Sequence, residues 1–269
     1  MSKKAKQKKK NDQIKGSIIL GFVGLLAIWF GFSLYDANDK FIELHPETNC
    51  RIDGVSPRET VILLDSTESL SEAQVETVIN HLNHEIENAI LFERFTVYSL
   101  KAEPERFQPQ FSVCNPGDGS DKSFVNNNPR KILKKWETLF KDPILRAVTM
   151  MGYEEASQTS PVMEMLKFVG IRTFARSKSD EKRMILISDM VENTSKYSQY
   201  SDLSADFRAN RDTPYFRKVK PRLLGVDVHI LYIERSNLTK IQGKKHLERF
   251  WKPFLEESGG ALSSITYIN

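Results

Sequence analysis

The chain has 269 residues, 40% of them hydrophobic, which is enough for one sizeable folded domain plus extra segments. Its net charge of +4 is unevenly spread: seven lysines against Asp12 put residues 1–15 at +6, so the remainder sums to −2. A near-neutral body behind a basic tail excludes the basic face expected of a nucleic-acid-binding domain.

The first element follows the tail. Residues 16–35, GSIILGFVGLLAIWFGFSLY, carry no charge and lie between Lys15 and Asp36. As a helix they reach about 30 Å, the thickness of a bilayer's hydrocarbon core. The lysines ahead of them place the N-terminus in the cytoplasm and the body on the other side, periplasmic or extracellular. A cleaved signal peptide is the competing reading, weakened by the length of the apolar run and by the absence of a clean small-x-small site. Cys50 and Cys114 are then the only cysteines, both in an oxidising compartment, and one disulfide is expected between them. Such a bridge is worth about 4 kcal/mol in the chain-entropy account.

Residues 36–57 read as a connector, broken by Pro46, Gly54 and Pro57. Val61-Ile62-Leu63-Leu64 reads as a strand buried on both faces, and it runs into Asp65, Thr67 and Ser69. Apolar residues from Val75 to Ile90 recur at helical spacing behind Ser69 or Ser71 as cap. Strands are expected at 95–100 and 107–113, the latter at an edge because of Pro109. A helix is expected over 130–140 and another from Pro161, with Ser160 as N-cap. Met184-Ile185-Leu186-Ile187 is a second buried strand, ending in Ser188-Asp189. Residues 192–222 read as a long polar, aromatic-rich excursion. A strand at 225–233, a helix at 246–255 interrupted by Pro253, and a strand at 261–268 close the chain. Strands alternating with helices make this an α/β fold, a doubly wound and mainly parallel sheet over residues 58–269.

In such a sheet, loops at the carboxyl ends of the strands converge. Asp65 and Asp189 supply carboxylates there, and Thr67, Ser69, Thr159 and Ser160 supply hydroxyls. This is a hard-oxygen set suited to Mg²⁺, Mn²⁺ or Ca²⁺. Asp65-Ser66-Thr67-Glu68-Ser69, with Asp189 after a later buried strand, resembles the metal-ion-dependent adhesion site of von Willebrand factor type A (vWA) domains. The family pattern is Asp-x-Ser-x-Ser, a threonine in a later loop and an aspartate after the fourth strand. For the threonine, Thr159 and Ser160 compete, Ser160 being the closer fit if it caps the helix. Met190 stands where the family has glycine.

The resemblance implies a module that binds another protein within an envelope assembly, an acidic side chain of the partner completing the metal shell, and no enzymatic activity. Two alternatives stand beside it. One is a vWA-like structural domain without its metal. The other is a metal-dependent phosphohydrolase, disfavoured because Thr67 stands where phosphoaspartyl chemistry of the haloacid dehalogenase type needs a second aspartate. No nucleophile elbow or phosphate loop is present either.

Overall fold

A computed structural model describes residues 20–32, 42–67, 69–100, 107–120, 128–153, 157–202 and 206–269. The chain divides into two units, Met1–Glu43 and Leu44–Asn269. In the first, residues 20–32 are helical, with Leu20, Phe22, Leu25, Ile28 and Trp29 exposed. Among the described residues no helix is long and apolar enough to cross a membrane. The basic tail and both ends of the uncharged 16–35 segment lie outside the described residues.

The second unit is built on a six-stranded sheet in the order β3-β2-β1-β4-β5-β6. Its strands are β1 (Arg58–Asp65), β2 (Arg94–Leu100), β3 (Phe111–Cys114), β4 (Glu181–Ser188), β5 (Val226–Ile233) and β6 (Gly260–Ile268). Every pairing is parallel except β2 with β3, which is antiparallel. The mainly parallel sheet expected from the alternation of elements is therefore present.

Strand alternation explains the unbroken aliphatic run. Val61 and Leu63 face one layer with Met165, Leu166 and Trp251, whereas Ile62 and Leu64 face the other with Val78, Leu82 and Phe140. All four are fully buried, each contributing about 1.5–3 kcal/mol.

The helix Glu72–Glu87 is capped by Ser71, whose hydroxyl accepts from the Gln74 amide while the Gln74 side chain returns to the Ser71 amide. Between Ser69 and Ser71, it is Ser71 that caps. The helix expected over 130–140 is longer. It starts at Pro129 behind an Asn128 cap, passes through a π-turn at Glu137–Lys141 and continues over Asp142–Gly152. Another π-turn, Leu247–Trp251, leads into Lys252–Glu257. These two π-turns end just before a proline, Pro143 or Pro253, which the π-turn at Gly170–Phe174 does not. The shift in hydrogen-bond register lets the chain stay helical past a residue with no N–H, where a plain α-helix would break.

The β3 strand is shorter than the expected 107–113. Phe107 leaves the sheet to stack on Tyr98 at 4.6 Å, and Pro109 precedes the ladder it cannot join. Cys114 ends β3 and forms the disulfide with Cys50, and the Cys114 amide also donates to the Thr48 carbonyl at 2.8 Å. The later part of the expected connector, from Leu44, thus belongs to the same unit as the sheet. The 192–222 excursion is core as well. Its Tyr197, Phe207 and Phe216 pack edge-on or stacked against Phe250.

Candidate functional site

The strand order changes direction between β1 and β4, since β1 leads outward to β2 and β4 leads outward to β5. A doubly wound sheet opens its crevice at that reversal, beyond the carboxyl ends of the strands. Asp65 ends β1 there, 7% exposed. Its Oδ1 accepts from the Thr67 amide at 3.0 Å and the Thr67 hydroxyl at 2.6 Å. Its Oδ2 accepts from the Ser188 hydroxyl at 2.7 Å and the Ser160 hydroxyl at 3.4 Å. None of these four donors is cationic. Ser66 points away, its hydroxyl meeting Ser99 Oγ at 2.7 Å and the Leu100 carbonyl at 3.0 Å. Beside Asp65 lies a cleft of about 450 Å³, lined by Thr67, Ser157, Ser160, Asp189, Asn193 and Tyr200 among others. Asp189 is braced from behind. Its Oδ1 accepts from the Val191 amide at 2.9 Å and its carbonyl from Gln242 Nε2 at 3.0 Å.

Of the six candidate ligands, Asp65, Thr67, Ser160 and Asp189 come together at this cleft. Ser69 does not line it; Ser69 is exposed and its carbonyl accepts from Arg235 Nη1 at 2.7 Å. Glu68, between Thr67 and Ser69 in the motif, lies outside the described residues. Thr159 is half-buried, with its amide donating to Ser157 Oγ at 3.2 Å, and it does not line the cleft either.

The expectation that Ser160 caps the following helix is corrected. The helix Val162–Val169 has no side-chain cap from the residue before it, because the Ser160 hydroxyl is turned to Asp65. The Ser160 backbone meanwhile pairs with Asn193, amide to carbonyl at 2.8 and 2.9 Å. The Met163 amide is capped instead by Glu192 Oε2 at 2.9 Å.

Two residues here are not candidates in the sequence. Ser188, which the sequence marks only as the residue before Asp189, makes the closer of the two contacts to Asp65 Oδ2. Glu192 is fully buried, accepting from Met163 and from the Tyr215 hydroxyl at 2.9 Å. Burial pushes its carboxyl up to about 8, against the pull of those two bonds and aided by Glu164 and Asp65. It is therefore mostly neutral at pH 7.

Met190 adopts φ +62°, a left-handed conformation that glycine enters without penalty and a bulky side chain does not. Its surroundings hold it there. The Met190 amide donates to Ser188 Oγ at 2.8 Å, its carbonyl accepts from Trp251 Nε1 at 2.6 Å, and its side chain is fully buried. The loop is pinned further by Gln199. Its Oε1 accepts from the Glu192 amide at 2.9 Å and meets His246 Nε2 at 3.0 Å. His246 Nδ1 in turn lies 3.1 Å from the Tyr232 hydroxyl. Burial lowers the His246 pKa to about 4, so the ring is neutral and serves as a structural spacer.

Chemically, Thr67 and Ser160 give their hydroxyl protons to Asp65, which leaves their oxygen lone pairs available to a cation. With Asp189 on the same wall, the donors are all hard oxygens, a set that fits Mg²⁺ or Mn²⁺. Among the described residues no group of three or more His, Cys, Asp or Glu is placed to hold a metal by such side chains alone. A cation held here would take oxygens besides the two carboxylates, and the hydroxyls of Thr67 and Ser160 are placed to supply them.

No protein-family model and no curated protein matches this sequence. Among solved structures, the chain is similar to a von Willebrand factor type A protein from Catenulispora acidiphila, at 12% identity and a TM-score of 0.40. That match covers 80% of this chain and 39% of the other, so the chain spans about two fifths of that protein's length. It is similar also to an aerotolerance-related membrane protein from Bacteroides fragilis, at 8% identity and a TM-score of 0.37, over 79% of this chain and 92% of that one. A third is the manganese-loaded TRAP protein of Plasmodium vivax, at 15% identity and a TM-score of 0.32, over 66% and 57%.

Proposed function

We propose that this chain is a membrane-anchored vWA-like module that binds another protein at the Asp65 cleft through a divalent cation. The observation that carries the reading is the buried Asp65 carboxylate, which turns the hydroxyls of Thr67 and Ser160 toward one wall shared with Asp189. In this reading Thr67, Ser160 and Asp189 hold the ion, Mg²⁺ or Mn²⁺ ahead of Ca²⁺, and Asp65 orients the hydroxyls. The ion supplies a fixed positive charge to which a partner's Asp or Glu binds. The cleft is a docking surface and carries no catalytic residue.

The uncharged segment 16–35 is the anchor, with the lysine tail cytoplasmic and the folded unit periplasmic or extracellular. The Cys50–Cys114 disulfide supports an oxidising location. An envelope assembly is the setting proposed for the partner. Alkaline phosphatase fused after Ile268 should be active in cells; a stable but inactive fusion reverses the orientation. For the cleft, a pull-down from membrane extract with the full chain should recover a partner in Mg²⁺ and lose it in chelator. Equal recovery in both removes the cation from the interaction.

A second reading is favoured by the same carboxylate. Asp65 already has four protein donors, so the loops hold together without an ion and the domain is a purely structural vWA-like unit. Cation titration separates the two readings.

A further inference from the structure

At the opposite, amino-terminal edge of the sheet, the layer that holds Val61 and Leu63 turns polar. Glu59 lies two residues before Val61, and Thr96 two before Tyr98, so strand alternation aims both into that layer. A cavity of about 370 Å³ lies there, lined by Glu59, Arg94, Thr96, Ser112, Arg172 and Arg176 among others.

Glu59 is 1% exposed, yet its contacts are long: Thr96 Oγ1 at 3.1 Å, Ser177 Oγ at 3.3 Å and Arg94 Nη1 at 3.5 Å. Neighbouring Glu93 is gripped at 2.5 Å by Arg58 and 2.6 Å by Thr60. A carboxylate has about four acceptor sites, so one held this loosely retains capacity for a further donor. On the other wall, Arg172 donates to the Phe107 carbonyl and lies over the Phe168 ring at 5.4 Å, without a carboxylate partner among the described residues. The Arg176 side chain, four residues on and exposed, makes no ion pair or hydrogen bond among the described residues, its amide alone donating to the Thr173 carbonyl at 3.0 Å. Two guanidiniums four residues apart thus border one cavity with most of their donors unused.

A bare oxyanion would satisfy the arginines and be repelled by Glu59. A neutral polyol would satisfy Glu59 and leave two cations unneutralised. We propose that the cavity binds a small hydroxylated carboxylate of the sugar-acid class, with its carboxylate on Arg172 and Arg176 and its hydroxyls on Glu59, Thr96 and Ser112. Planar guanidinium groups match a carboxylate's geometry, and the volume lies in the small-ligand range.

The test is calorimetric titration of the detergent-solubilised full chain with glucuronate, with glucose as the neutral control and sulfate as the anion without donors. Glucuronate should bind saturably, with glucose and sulfate at least about tenfold weaker, which is 1.4 kcal/mol. Arg176→Gln, at an exposed position whose side chain makes no hydrogen bond or ion pair among the described residues, should weaken glucuronate about tenfold, and Glu59→Gln should narrow its advantage over sulfate. Asp65→Ala should leave it unchanged, which keeps this site separate from the cleft. Absence of glucuronate binding, equal binding of sulfate, or an Arg176→Gln variant that binds like the parent overturns the proposal.

Discussion

The two edges of one sheet bury carboxylates by opposite means. At the amino edge, Glu93 and Glu59 are met by guanidinium groups: Arg58 at 2.5 Å and Arg183 at 3.7 Å on Glu93, and Arg94 at 3.5 Å on Glu59. At the carboxyl edge, Asp65 is held by three hydroxyls and a main-chain amide. Hydroxyls satisfy the carboxylate's lone pairs but leave its charge uncompensated. The buried carboxylates of the amino edge are thus paired with cations within the fold, whereas Asp65 has no protein cation among its hydrogen-bond partners. Burying a charge costs several kcal/mol unless it is paired, so an edge left in this state is one that an external cation would stabilise.

The largest expected effect comes from breaking the amino edge. Glu93→Gln removes the fully buried counter-charge of Arg58 and Arg183, leaving them Glu181 at 3.6 Å and Glu85 at 2.7 Å, and should cost about 3 kcal/mol of unfolding free energy in urea titrations. Asp65→Asn, with no cation to strand, should cost less, about 1–3 kcal/mol. Equal losses would erase the distinction between the edges.

The pH dependence sharpens the carboxyl edge. Glu192 is raised from 4.5 to about 8 in the fold, so between those values the native state holds a proton the unfolded chain has released, and stability falls as pH rises. His246 is lowered from 6.5 to about 4, so the unfolded chain takes up a proton the native state refuses, and stability falls as pH drops below 6.5. The two slopes oppose one another between pH 4.5 and 6.5. Of these two groups only Glu192 titrates from 6.5 to 8, at about 1.4 kcal/mol per pH unit, contributing a loss of about 2 kcal/mol over that window. Glu192→Gln, which carries the neutral form in both states, should show no such fall over the window in which the parent loses about 2 kcal/mol. A parent whose stability does not fall from pH 6.5 to 8 would show that Glu192 is ionised in the fold.

The smallest expected effect is the difference between two substitutions at Met190. Either truncation loses buried volume, about 2–5 kcal/mol, but at φ +62° glycine should outrank alanine by about 1 kcal/mol, the reverse of the helical order. Thermal unfolding of Met190→Gly and Met190→Ala measures it. Alanine being the more stable would mean the left-handed backbone carries no strain.

The carboxyl edge was largely legible in the sequence, the amino edge hardly at all. Val61–Leu64 and Met184–Ile187 are unbroken aliphatic runs, and a strand buried on both faces has few other signatures, so Asp65 and Asp189 could be placed at its carboxyl end. Ser160 was found for a partly mistaken reason: the Ser-Pro pair resembled a helix cap, but the hydroxyl belongs to Asp65. Glu192 was hidden because it sits in a polar loop, where no periodicity separates a buried carboxyl from a solvated one. Glu59 and Glu93 were hidden by the same general rule, since acidic residues beside arginines at strand starts read as surface. Their burial follows from tertiary pairing that single-residue patterns do not carry.

The most direct test of the central claim is isothermal titration of Mn²⁺ and Mg²⁺ into the detergent-solubilised full chain and its Asp65→Ala and Asp189→Ala variants. The account predicts saturable binding by the parent and loss of it in both variants. A parent that takes up neither ion, or variants that bind as the parent does, would contradict it.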